Sequence, residues 1–66
     1  MAIGEFIEHL KSDPEYAWGW YCNIRMPLYD KGISAEKSKE CAIFLMKHLF
    51  EIDMIEVQKQ LPGSKL

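Results

Sequence analysis

Four side chains in this sequence could ligate a transition metal: His9, Cys22, Cys41 and His48. Zinc sites use four such donors, usually in close pairs along the chain that pre-form half of the tetrahedron. These four are scattered, with no Cys-x-x-Cys and no His-x-x-x-His knuckle. The spacing points to no metal and to two free cysteines buried on apolar helix faces. Nucleophilic catalysis by Cys22 would need a base held beside it, and neither His9 nor His48 is near it in sequence. Glu36 and Glu40 stand one turn apart among lysines, a solvated helix face rather than an acid–base pair. Gly19 stands alone, so there is no glycine-rich phosphate loop. The residues that could do chemistry do not assemble into an enzyme, and no catalytic residue or cofactor is expected.

The chemistry that remains is aromatic. The stretch from Asp13 to Asp30 holds both tryptophans, all three tyrosines and the chain's single asparagine. Read as a helix, it carries two apolar arcs. Ala17, Trp20, Tyr21, Ile24 and Leu28 fall within roughly 100° of each other and form a core face. Trp18, Cys22, Met26 and Tyr29 form a second arc, bordered by Arg25 on one side and by Gly19, Asn23 and Asp30 on the other. A helix that is apolar on two sides has neighbours on two sides. The second arc is therefore either ordinary core or a binding face. Trp, Tyr, Met and Arg are enriched at protein interfaces, and rings beside an arginine also suit a planar, nucleotide-like ligand. Gly19 and Asn23, one turn apart, allow close approach and offer a hydrogen-bonding amide.

Three further elements must position that helix. Ile3, Phe6, Ile7 and Leu10 recur at helical spacing, with Glu5, Glu8, His9 and Lys11 opposite, giving a short first helix that must dock to persist. Ser12 with Glu15 fits a capping box, and Asp13 as cap before Pro14 fits equally well. Pro27 lies inside the second helix and predicts a kink near Asn23, or a helix that ends and restarts. Gly32 is the expected left-handed cap and Ser34 the next N-cap. In the third helix Cys41, Ala42, Leu45, Met46, Leu49 and Ile52 form a broad apolar arc, with Lys37, Glu40, Lys47 and Glu51 on the solvent side. Phe44 falls among those charges and is a candidate partner contact. Asp53 to Glu56 predicts a short fourth helix ending near Gln60. Residues 52–57 could also form a strand, but no second strand exists for it to pair with.

Sixty-six residues make one domain, read as an all-α bundle of three helices with a short fourth over residues 1–61 and a flexible tail at 62–66. A chain this short has a thin stability margin. With two cysteines and no metal pattern, oligomerisation is the remedy left. Hydrophobic residues are 48% of the chain, so it folds. Three basic and five acidic residues in the first half, against five of each in the second, give the net charge of −2. That is too even for nucleic-acid binding. The longest apolar run, Cys41 to Met46, is too short to span a membrane, and no signal peptide is visible. A cytosolic chain with reduced thiols is expected.

The run Asp-Pro-Glu-Tyr-Ala-Trp-Gly-Trp-Tyr-Cys-Asn-Ile-Arg-Met at positions 13–26 resembles a group of short tailed-phage proteins. These carry an AWGWHCNIAM-type helix after a short amphipathic one, then an acidic-Gly turn and a third helix. The similarity covers about positions 5 to 53. Two departures stand out: Tyr21 replaces the usual His, and Pro27 stands where Ala is common. The resemblance implies a phage accessory protein working in the host cytoplasm, a class in which many members block host defence or host enzymes by binding. The expected function is thus to bind and block a host protein, with Trp18, Cys22, Arg25, Met26, Tyr29 and Phe44 as binding residues. The alternatives are a sponge for a nucleotide-like signal in an aromatic pocket between protomers, with Arg25 against phosphate, and a structural adaptor.

Overall fold

The computed structural model describes residues 2–66. Four helices are present among them and no strand: α1 Ile3–Ser12, α2 Pro14–Asp30, α3 Ala35–Phe50 and α4 Met54–Lys59. The expected all-α bundle is the fold, with α2 at its centre, in contact with each of the other three helices.

The joints are made by local chemistry. Asp13 is the cap of α2: its Oδ1 accepts from the N–H groups of Glu15 at 3.1 Å and Tyr16 at 3.3 Å. Its own N–H donates to the His9 carbonyl at 3.0 Å, closing α1. One residue ends one helix and starts the next. Ser12 takes no part in this cap, and its hydroxyl donates back to the His9 carbonyl. His9 lies flat on Tyr16 across this joint, centroids 4.0 Å apart.

Helix α2 runs unbroken through Pro27, so the expected end and restart does not occur. The acceptor that proline leaves without a partner is the carbonyl of Asn23, an exposed residue that water can solvate. Pro27 is itself exposed. Pro27→Ala should restore the bond and raise stability by roughly 1 kcal/mol in urea denaturation; a loss of that size would show that the ring is needed for packing. The helix ends on Gly32, at φ 95°. Gly32 N–H donates to the Tyr29 carbonyl at 3.0 Å and Ile33 N–H to the Leu28 carbonyl at 3.2 Å, a Schellman closure. Ser34 Oγ then accepts from Lys37 N–H at 3.3 Å and opens α3. That helix closes on Glu51, which takes the left-handed conformation at φ 58° without being glycine.

The core is Leu10 from α1, Ala17 and Tyr21 from α2, Ala42 and Met46 from α3, Ile52, and Met54 and Val57 from α4. Beside it, Phe6 gathers three rings edge-on: Tyr16, Trp20 and Phe50. Phe6 takes the last covered place on α1, and Ile3, one turn further out, is exposed instead of sharing the buried face.

The third helix is turned relative to expectation. Ser38, Ala42 and Met46 face inwards, with Ile43 and Phe50 half-buried on one flank. Cys41 and Leu49, expected in the core arc, are exposed. The rotation is possible because Ser38 can be buried at no polar cost: its hydroxyl donates to the Ile33 carbonyl at 3.3 Å.

The fourth helix contributes more than a short appendage would. Asp53 Oδ1 accepts from Ile55 N–H at 3.0 Å, and Met54 and Val57 are buried against α2 and α3. The last residues, expected as a loose tail, lie on the bundle: Leu61 and Leu66 pack against the core, and Gln58 Nε2 donates to the Ser64 carbonyl.

Candidate functional site

The second arc of α2 divides into an inner and an outer half. Trp18 and Cys22 are half-buried and lie against the core, with the Trp18 ring 5.2 Å from that of Tyr21. The fourth helix also packs on α2, and Leu61 and Leu66 on the core, surface that a three-helix count leaves out. Met26 and Tyr29, one turn apart, stay 44% and 52% exposed. Gly19 and Asn23 also face solvent, and nothing lies within 4 Å of where a Cβ on Gly19 would be. No close approach inside the chain uses this glycine.

The outward face of α3 carries a second exposed stripe. Cys41, Phe44 and His48 recur at i, i+3 and i+7, so they line one outward stripe, whereas Leu49, in the helix's last turn, falls on the side of Ser38 and Ala42. Phe44 is 58% exposed and Leu49 61% exposed. The Phe44 ring stacks on His48 at 4.1 Å. Phe44 was legible in the sequence as a ring out of place. Its companions were not, because Cys41 and Leu49 read equally well as core. Both cysteines are free thiols, Cys22 half-buried and Cys41 exposed, which corrects the expectation that both are buried. Among the described residues, no group of three or more His, Cys, Asp or Glu side chains could hold a metal ion.

Arg25 belongs to neither surface. Its guanidinium sits over the Tyr21 ring, 5.7 Å from the centroid. Burial pushes the Tyr21 phenol above the usual tyrosine range, against an opposing pull from Arg25. The hydroxyl therefore stays protonated and neutral across the physiological range. Stability follows: above pH about 10 the unfolded chain loses this proton while the folded chain keeps it, so stability falls as pH rises from there. Tyr21→Phe should flatten that decline in urea denaturation between pH 9 and 11, on the order of one proton's slope. An unchanged slope would mean that the hydroxyl ionises freely in the fold.

The structure thus distributes the six expected binding residues over three places. Met26 and Tyr29 share the outer half of α2 and Phe44 stands on α3, while Trp18 and Cys22 pack inwards and half-buried Arg25 lies over Tyr21 on the helix's flank. Comparison with known proteins finds no matching protein family, no matching curated protein and no matching solved structure.

Proposed function

We propose that this chain is a non-catalytic binding module that acts by covering the surface of another protein. In the setting implied by the phage-type motif at 13–26, that protein belongs to the host cytoplasm, and the effect is to block a defence protein or enzyme. The observation that carries the reading is the outward stripe of α3, where the Phe44 ring stands 58% exposed and stacks on His48, with exposed Cys41 one turn before it. An apolar stripe rimmed by Lys37, Glu40, Lys47 and Glu51 has the layout of a helix that lies in a partner's groove. The outer half of α2 adds weight. Gly19 costs its helix about 1 kcal/mol relative to alanine with no packing reason inside the chain. Self-association through one of these faces belongs to the same reading, since a thin stability margin favours covering them.

The test is capture from host lysate by the intact chain and by a Phe44→Ser/Leu49→Ser variant. One stoichiometric protein retained by the parent and lost by the variant supports the proposal. Equal capture by both removes the α3 face from it, and no partner at all removes the blocking function.

A further inference from the structure

A second site lies on the other flank of α2, where the helix meets the first turns of α3 and the C-terminal residues. A depression of about 210 Å³ is lined there by Tyr21, Arg25, Ala35, Glu36, Lys39 and Lys65, with Leu66 at its edge. We propose that this depression binds the phosphate group of a small molecule. The proposal does not rest on the protein-covering reading, because it uses different residues on a different face.

Charge is the first argument. Three cationic side chains line the depression against one side-chain carboxylate, Glu36, which pairs with Lys39 at 3.4 Å. Arg25 and Lys65 have no carboxylate within 4.0 Å among the described residues. Lys39 can turn from Glu36 to an incoming anion, since the pair is an exposed one at i, i+3 and is worth little. The second argument is the end of α3. Ala35 and Glu36 open a helix of sixteen residues, whose first N–H groups and dipole favour negative charge.

Tyr21 is the independent observation. Its side chain is 1% exposed, yet its hydroxyl makes no hydrogen bond with any described residue. Among the described residues, no fully enclosed side-chain polar atom lacks a partner. The hydroxyl therefore keeps a sliver of accessible surface, and the depression is the opening that Tyr21 lines. A phenol that keeps its proton and has no protein acceptor can exchange water for an anion oxygen at that opening. Arg25, held over the same ring, supplies a planar fork that matches phosphate oxygens in pairs. The depression falls below the roughly 300 Å³ at which drug-sized pockets begin. It suits a single phosphate group, with the rest of an organic phosphate left outside.

The experiment is a titration of the full chain followed by ¹H–¹⁵N NMR, at ionic strength held constant with sodium chloride. The first probe is inorganic phosphate and the second is adenosine 5′-monophosphate. Saturable shifts at Tyr21, Arg25, residues 35–39 and Lys65 are expected with both. Tighter binding of the nucleotide identifies an organic phosphate as the ligand, and equal binding identifies the free ion. Arg25→Gln should weaken binding about tenfold by removing a charge-assisted pair. Lys65→Gln, on the surface, should weaken it a few-fold without touching the core. Shifts that chloride reproduces, or that never saturate, overturn the proposal. So does phosphate binding by Lys65→Gln and a folded Arg25→Gln that equals the parent's.

Discussion

Met54→Ala is expected to cost about 2–5 kcal/mol of unfolding free energy, the range for emptying a fully buried aliphatic position. Met54 has no exposed surface and opens a helix of only six residues. Such a helix is far too short to form alone, so its existence depends on docking. Docking rests on Met54 and Val57 from the helix itself, with Ile52 just before it. A chain of this length has roughly 3–10 kcal/mol in total, so the substitution takes a large share of the whole. The loss should appear as one cooperative transition in urea, with the same midpoint by circular dichroism and by fluorescence of the two tryptophans on α2. Ile55→Ala is the control, because Ile55 sits on the same short helix but is 53% exposed; it should cost less than about 1 kcal/mol. A similarly small cost for Met54→Ala would make α4 a detachable appendage and leave the core to three helices.

That dependence on α4 marks where reading the chain runs out. The caps were legible because they are local: Asp13 before Pro14, Gly32 after α2 and Ser34 before α3 each act on amides a few residues away. The main arc of α2 was legible for the same reason, and Ala17 and Tyr21 lie fully buried in it. Periodicity gives the width of an apolar arc but not its centre. In α3 the choice between Cys41 with Leu49 and Ser38 with Ile43 and Phe50 was decided by tertiary partners. The hydroxyl of Ser38 finds the Ile33 carbonyl, and Phe50 meets the ring of Phe6 at 5.6 Å. Neither partner is visible on a helical wheel. A six-residue helix is likewise too short to show a period, so the cover it places on α2 could not be counted. The depression beside Arg25 is less legible still. Lys65 stands forty positions from Arg25 along the chain, and only the fold of the C-terminal residues brings them together.

The correction in α3 changes where self-association should be sought. Of the second arc of α2, the other candidate contact, replacing Trp18 together with Tyr29 would mix two effects, since Trp18 packs on the core and its loss weakens the fold. Phe44 and Leu49 are the cleaner targets, about 140° apart around α3, because both stand more than half exposed and contribute little inside one chain. Full burial of such side chains is worth about 1.5–3 kcal/mol each. About half of that is still to be gained on association, so the two together should supply roughly 2 kcal/mol, about thirtyfold in the dissociation constant. The parent chain is expected to form a dimer or larger assembly in light scattering at high concentration. Phe44→Ser/Leu49→Ser should shift that assembly to the monomer, with helicity by circular dichroism and urea midpoint at low concentration unchanged. Retention of the assembly by the double variant would place the contact elsewhere, with Met26 and Tyr29 as the next exposed pair. A parent that stays monomeric at millimolar concentration would end the self-association reading and leave the α3 face to a different protein.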